Sequence, residues 1–249
     1  MVLLRLLAVL LVAGAAGVRS QAPATNPSPS PPPSPTPTDW RTRDHSPGMC
    51  AMYGTCGHRR DGDPLACAAN LPAAPPSPEL ATRLQAVCPS LWADRGGPAG
   101  RYCCTADQVD RIASDTQKAL PFIVGCPACR HNFVQLWCLL TCSPDQAAFT
   151  NVTAIQTAPD SGAPNAVAEV EHWLAEEYGN QLYDSCKDVK FGAANVPAMS
   201  FIGGGARSGQ QWLDFLGTLK DRRVPPLGAP IQIDFRPENS TPPGLSPMR

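Results

Sequence analysis

The sequence contains few aromatic and few charged residues, and it has no long apolar run after its first residues. Aromatic side chains make up 6% of the chain and charged side chains 16%, with a formal net charge of −1 at pH 7. Because binding of nucleic acid depends on clustered lysine and arginine, which this sequence lacks, nucleic acid is not an expected partner. After residue 20, no apolar stretch is long enough to cross a bilayer.

The residue patterns of an enzyme are also missing. His45, His58, His131 and His172 have no Asp or Glu at metal-ligand spacing, and we predict that they are solvated surface residues. The sequence has no nucleophile elbow and no Ser, His and Asp arrangement. Residues 201–206, FIGGGA, lack the Lys and the Ser or Thr of a phosphate-binding loop and indicate a tight turn. We therefore expect no catalysis, no cofactor and no metal.

The N-terminus has the pattern of a secretory signal peptide. Arg5 precedes an apolar run over residues 6–12 and then small residues, which predicts a signal peptide over residues 1–20. Residues 21–47 are rich in proline and predict a stiff, extended linker. Residues 48–235 are then expected to form one domain, and residues 236–249 a tail without core residues.

The cysteines are most simply interpreted as disulfides. There are eleven, so one is left over, and the secretory lumen is oxidising. Four lie in residues 126–142, CPACRHNFVQLWCLLTC. If these residues form one helix, the first two cysteines lie roughly opposite the last two and too far from them for all four to bind one zinc ion. A thioredoxin-type redox pair would need an adjacent βαβ pattern, and c-type haem would need His where Arg130 stands. The pattern favours a central helix that is bridged to different neighbours.

Local signals predict three helices in the first part of the domain. Ser77 followed by Pro78 indicates the start of one helix. Thr105 and Gln108 have the spacing of a capping box at the start of the second. The third is expected over residues 127–142, with its proline near the start.

A fourth helix is predicted over residues 164–186, and a fifth after a capping box of Ser208 and Gln211. The inward positions of the fourth would be Val167, Val170, Leu174 and Tyr178. Residues 230–235, PIQIDF, alternate between apolar and polar and indicate a half-buried strand. The fold class that follows is α+β: a helix-rich single domain with a small sheet, held by disulfides.

Several segments together resemble the N-terminal luminal domain of the Niemann-Pick type C family of sterol-handling membrane proteins. The resemblance covers about Cys50 to Phe235 and includes the sequon at Asn151. Asn151 and Asn239, which stands in a second sequon, are candidate sites of glycosylation. The glycines resemble fungal members more than animal ones, which have a further cysteine where Gly203 stands. The segments that carry the resemblance are CAMYGTCG, LPFIVGCPACRHNFVQLWCLLTCSPDQAAFTNVT, LYDSCKDVKF and AMSFIGGGA, followed by WLDFLG and LGAPIQIDF.

The resemblance implies a set of disulfides. The implied pairs are Cys50 with Cys103, Cys56 with Cys67, Cys88 with Cys138, Cys104 with Cys142, and Cys129 with Cys186. Cys126 is left, and its partner in the family lies further downstream than Arg249. The resemblance therefore implies that this chain is the front of a longer protein, or a truncated gene product, whose missing part enters the membrane.

The resemblance also implies a buried pocket for one sterol, with Gln108 contacting the hydroxyl. A second contact in the family is an asparagine, where this chain has Ala66, so water, backbone or a side chain such as Asn70 would have to help. Met52 stands where the family has a tryptophan. The other expected pocket residues are Ile112, Trp137, Thr141, Phe201, Ile202, Leu216, Pro230, Ile231 and Ile233.

The expected function is therefore non-enzymatic sterol binding. The domain would accept a sterol of the cholesterol or ergosterol class and pass it between a small soluble luminal carrier and a membrane. Phe201, Ile202, Pro230 and Ile231 would border the pocket mouth. The expected location is the vacuolar or lysosomal lumen, or outside the cell if the chain ends at Arg249. The alternative is a disulfide-bonded extracellular module that binds a protein, or has a structural role, without a lipid ligand.

Overall fold

The computed structural model describes residues 43–220 and 228–249. The predicted signal peptide and residues 21–42 of the predicted linker lie outside these ranges and stay predictions. The described residues have the predicted α+β fold, rich in helix and with a small sheet. The helices are Pro78–Val87 (α1), Pro89–Asp94 (α2), Ala106–Thr116 (α3), Leu120–Ile123 (α4), Pro127–Cys142 (α5), Gln146–Phe149 (α6), Glu176–Cys186 (α7), Met199–Ile202 (α8) and Gly209–Gly217 (α9). The strands are Met49–His58 (β1), Pro64–Pro72 (β2), Thr150–Gln156 (β3), Ala166–Leu174 (β4), Lys190–Phe191 (β5), Val196–Pro197 (β6) and Gln232–Pro237 (β7).

Strand β4 is the centre of the main sheet. Strand β3 pairs with it antiparallel, from Thr150 opposite His172 to Gln156 opposite Ala166. On its other edge, β7 pairs in parallel from Glu169 onwards, whereas β2 meets β4 only where Cys67 lies opposite Ala166. The hairpin of β1 and β2 therefore separates from β4 after Ala166, and β7 pairs with β4 from Glu169 onwards. The sheet is open between the hairpin and β7.

Helix α5 is the central helix, as the cysteine pattern predicts. It begins at Pro127 and ends at Cys142, with Phe133, Leu136 and Leu140 buried. Three of its cysteines bridge to three different places: Cys129 to α7, Cys138 to Cys88 beside α1, and Cys142 to Cys104 just before α3. The other two bridges are Cys50–Cys103 and Cys56–Cys67, so all five join the pairs that the resemblance implies.

The predicted starts of α1, α3, α5 and α9 are confirmed, with one exception in detail at α9. Ser77 caps α1, and Thr105 and Gln108 form a reciprocal capping box on α3. At α9 the Ser208 hydroxyl accepts from the Gln211 N–H, but the Gln211 amide oxygen accepts from the N–H of Arg207, one residue earlier than a box requires. The predicted reciprocal box at α9 is therefore wrong, although the helix itself begins where it was expected.

The prediction of one helix over residues 164–186 is wrong in its first half. Residues Ala166–Leu174 form β4, and only Glu176–Cys186 is helical. The apolar spacing of this segment fits a helix, but both edges of the segment are hydrogen-bonded to other strands. Pairing with residues distant in sequence overrides the local pattern, as is common for strands.

Residues 236–249 are not a tail without core residues. Met248 is 5% exposed and belongs to the main hydrophobic core. Its N–H donates to the Trp173 carbonyl, and its carbonyl accepts from the Ala175 N–H, so the segment adds hydrogen bonds at the end of β4. The apolar pattern of residues 236–249 does not predict this packing, because a single side chain, that of Met248, makes it.

Helices α8 and α9 are held in place by Trp212. Its indole N–H donates to the Ile202 carbonyl at 2.9 Å, and its ring stacks on Phe133 of α5 with centroids 6.0 Å apart. The glycine-rich segment between these helices makes the expected turn, with Gly204 and Gly205 at positive φ. None of the helices in the described ranges is long and apolar enough to span a membrane.

Candidate functional site

A large cavity of about 970 Å³ lies where the sheet opens. The hairpin of β1 and β2 forms one wall, and β4 with the start of β7 forms another. Helices α3 and α5 close the space between these walls, and α8 and α9 contribute one residue each. A cavity of this size falls in the range that accommodates a small organic ligand.

Ten of the eleven expected pocket residues line this cavity. They are Met52, Gln108, Ile112, Trp137, Thr141, Ile202, Leu216, Pro230, Ile231 and Ile233. Most are apolar and buried, and they are joined by Phe133, Leu140 and Val170, which were not expected. The cavity interior is therefore suited to a hydrocarbon ligand.

Phe201 is the expected pocket residue that does not line the cavity. Its side chain is 38% exposed and stacks on Phe122, with ring centroids 4.8 Å apart. Phe191 packs edge-on against both rings. Phe201 therefore lies on the outer side of α8, whereas the next residue, Ile202, lines the cavity.

The Gln108 side chain is both a cap and a cavity-lining group. Its Oε1 accepts from the Thr105 N–H at 3.1 Å and from the Gly54 N–H at 3.0 Å. Within the described ranges its Nε2 makes no hydrogen bond. The oxygen therefore joins α3 to β1, while both amide hydrogens remain available to a ligand.

Ala66 lines the cavity, as expected from its position, and offers no hydrogen bond from its side chain. Asn70 does not take over this role. It does not line the cavity, and its Oδ1 accepts from the Asp44 N–H at 3.3 Å.

Two buried polar residues of the cavity were not found from the sequence. Gln146 is 1% exposed, and its amide is fully used by the Met52 N–H and by the carbonyls of Leu140 and Thr141. His172 is 2% exposed, so the prediction of a solvated histidine is wrong there. Gln146 lies on the short helix α6 and His172 on strand β4, and neither element was predicted, although the alternation of Val170 and His172 was a usable signal for the strand.

Ion pairs join three elements at the edge of the cavity. Asp63, beside β2, accepts hydrogen bonds from Arg111 of α3, at 2.6 Å, and from Lys220, which follows α9. Burial alone would raise the pKa of Asp63, but the hydrogen bonds from Lys220 and Arg111 outweigh it and lower that pKa. Lys220 also pairs with Asp61 at 3.1 Å. The carboxylates therefore stay ionised and hold the hairpin against the helices.

Cys126 has no disulfide partner among the other cysteines, all of which lie in the described residues. It is half-buried, and its thiol donates to the Ser185 carbonyl at 3.6 Å. Over residues 43–220 and 228–249, no group of three or more His, Cys, Asp or Glu side chains could hold a metal ion.

Comparison with known proteins identifies the family. The family model described as Niemann-Pick C1 N terminus matches residues 47–249. This chain belongs to the Niemann-Pick C1 N terminus family. The matched range contains the ten bridged cysteines, every residue of the cavity and the C-terminal segment around Met248.

Relatives of this Niemann-Pick C1 N terminus domain are much longer proteins. NPC1-like intracellular cholesterol transporter 1 is 32% identical over 222 residues in Rattus norvegicus and 31% over 221 residues in Homo sapiens. Each alignment covers 83% of this chain and 16% of the relative. NPC intracellular cholesterol transporter 1 of Sus scrofa is 27% identical over 205 residues, which is 80% of this chain and 15% of the relative. The chain thus spans about one-sixth of the length of the curated relatives it matches.

Proposed function

We propose that this domain binds one sterol in the cavity and serves sterol transport. The supporting observation is the cavity of about 970 Å³, whose lining includes ten of the eleven residues expected for a sterol pocket. The similar proteins are named as intracellular cholesterol transporters, which agrees with a sterol ligand. In this proposal the domain acts by binding and release.

The apolar wall supplies most of the affinity in this proposal. Burying on the order of 300 Å² of sterol hydrocarbon contributes about 7 kcal/mol before the costs of association. One hydrogen bond to the sterol hydroxyl contributes only about 1 kcal/mol net. The Gln108 Nε2 therefore mainly fixes the orientation of the sterol, by donating to its hydroxyl oxygen.

The substitution Gln108→Ala tests this assignment. Alanine removes the N–H donors that would reach the sterol hydroxyl, and it also removes the oxygen that accepts from the Thr105 and Gly54 N–H groups. We expect the folded variant to bind cholesterol about five- to tenfold more weakly, with much less effect on the same sterol without its hydroxyl. Gln211→Ala, at the equivalent position of α9 and exposed, controls for the loss of an amide at a helix start.

Binding of labelled cholesterol to the domain with its disulfides intact is the first measurement. Saturable binding supports the proposal. No binding at all would reject it and favour the alternative, a disulfide-bonded module without a lipid ligand. An equal effect of Gln108→Ala on both sterols would reduce Gln108 to a helix cap.

The same proposal includes transfer of the sterol between a small soluble carrier and a membrane, in the lumen of a vacuole or lysosome. The aromatic cluster of exposed Phe201 with half-buried Phe122 and Phe191 supports it, because this cluster adjoins the cavity-lining Ile202. We expect Phe201→Ser to slow sterol transfer to phosphatidylcholine vesicles while leaving the equilibrium affinity nearly unchanged. Equal transfer rates for wild type and variant would remove the cluster from the proposal.

A further inference from the structure

His172 is a buried polar side chain that borders the cavity. It is 2% exposed, and its ring packs between those of Phe149 and Phe235, with centroids 6.3 and 5.9 Å away. Val170, two residues earlier on β4, lines the cavity with it on the same face of the strand. The imidazole is therefore held rigidly at the cavity wall.

One ring nitrogen is already used by the protein. His172 Nδ1 lies 2.9 Å from the hydroxyl oxygen of Thr150, which is fully buried on β3. Neither the Thr150 hydroxyl nor His172 Nε2 makes another hydrogen bond within residues 43–220 and 228–249. His172 lines the cavity, so a ring nitrogen without a protein partner is available there to a bound molecule.

The hydroxyl fixes the tautomer of the ring. A buried hydroxyl must donate its hydrogen to an acceptor, and Nδ1 is the acceptor within reach of Thr150. If Nδ1 accepts, the neutral ring carries its proton on Nε2, which then can only donate. Burial lowers the pKa of His172 to about 3, so the ring stays neutral at the pH of cellular compartments.

We infer that His172 is a specificity-determining residue, whose Nε2–H donates to an acceptor oxygen, hydroxyl or carbonyl, on the ligand in the cavity. This inference rests on the proposed function. Gln108 reaches the cavity from α3 and His172 from β4, so the two donors approach a ligand from different walls. The cavity selects for oxygenated over purely hydrocarbon ligands because a hydrocarbon would leave the imidazole N–H without a partner.

A paired substitution removes the hydrogen-bonding groups of this wall together. Thr150→Val with His172→Phe removes the hydroxyl and both ring nitrogens while keeping an aromatic ring between Phe149 and Phe235; wild type is the reference, because Thr150→Val alone would also release the tautomer. The affinities of wild type and of the double variant are compared for cholesterol, for its 3-ketone, for cholesterol derivatives with a second hydroxyl and for the parent hydrocarbon cholestane. Competition against labelled cholesterol measures each dissociation constant.

We expect the double variant to lose about five- to tenfold in affinity for at least one oxygenated ligand relative to cholestane. His172→Gln, which can also accept from Thr150 and donate to a ligand, is expected to recover part of this loss. The inference is overturned if wild type and the double variant differ by the same factor for cholestane and for every oxygenated ligand. Failure of wild type to bind any of the ligands would instead reject the proposed function.

Discussion

At the scale of single residues, Gln108 shows how one amide can serve both the fold and a ligand. Its oxygen accepts from the backbone of Thr105 and Gly54, which fixes the start of α3 against β1. Its nitrogen is left for the cavity. The two tasks therefore do not compete.

The polar groups of the cavity were only partly predictable from the sequence. Gln108 was found because a capping box is a local pattern and because its position matches a family contact. Gln146 and His172 were missed because their roles depend on contacts with Met52 and Thr150, which are distant in sequence. Local patterns carry no information on such partners.

Burial of His172 predicts a pH dependence of stability. The folded-state pKa is lowered to about 3 from the ordinary 6.5, so between these values the unfolded chain binds the proton and the folded protein does not. Stability is therefore fully present above pH 6.5 and is lost as the pH falls towards 3. Between pH 7 and pH 5 we expect this residue to account for a loss of about 2 kcal/mol in the free energy of unfolding.

Urea denaturation of the two Thr150→Val variants, with and without His172→Phe, checks this value. The variant that retains His172 should lose more stability between pH 7 and pH 5. Parallel pH profiles would show that His172 is protonated in the folded state or not buried.

At the scale of elements, helices with caps and the half-buried strand β7 were predicted well, and the other strands were predicted poorly. Helices α1, α3 and α5 begin at the expected residues because Ser77, Thr105 and Pro127 act locally. Strand β4 was taken for a helix because its valines also fit helical spacing, and its partners β3 and β7 lie elsewhere in the chain. Strands β1 and β2 were missed because they are rich in small residues and irregular in register.

We expect the disulfides to differ in whether their removal mainly lowers the free energy of unfolding or mainly weakens ligand binding. Cys129–Cys186 closes a separation of 57 residues between α5 and α7, whereas Cys56–Cys67 closes only 11 within the hairpin. Loop entropy predicts losses of about 4 and about 3 kcal/mol in the free energy of unfolding when each pair is replaced by alanine. Because Cys56 lines the cavity, the hairpin pair should nevertheless affect ligand affinity more.

Chemical denaturation and cholesterol binding, measured on both double variants, test this ranking. If removal of Cys129–Cys186 weakened binding more than removal of Cys56–Cys67, the hairpin would not be the wall that shapes the cavity.

At the scale of the whole molecule, an apolar cavity is enclosed by a charged edge. The shared carboxylate of Asp63 holds the hairpin, α3 and the residue after α9 together. Such partly exposed pairs contribute little to global stability but restrain elements relative to one another. The ion pairs should therefore affect ligand exchange more than folding.

Replacing the shared carboxylate tests this view. For Asp63→Asn we expect a sterol release rate about three- to tenfold higher and a free energy of unfolding lower by about 1 kcal/mol or less. Asp184→Asn, which breaks the exposed pair of Asp184 with Lys187 on α7, is the control. An unchanged release rate with a large loss of stability would assign the Asp63 ion pairs to folding alone.

The parallel pairing of β7 with β4 has a consequence for the order in which the domain is made. Every bridged cysteine lies at or before Cys186, whereas the wall formed by Pro230, Ile231 and Ile233 comes later in the chain. Since synthesis runs from the N-terminus, the covalent framework can close while one wall of the cavity is still being translated. Under the proposed function, a ligand that contacts every wall binds only after β7 has paired with β4, so ligand occupancy would report that folding is complete.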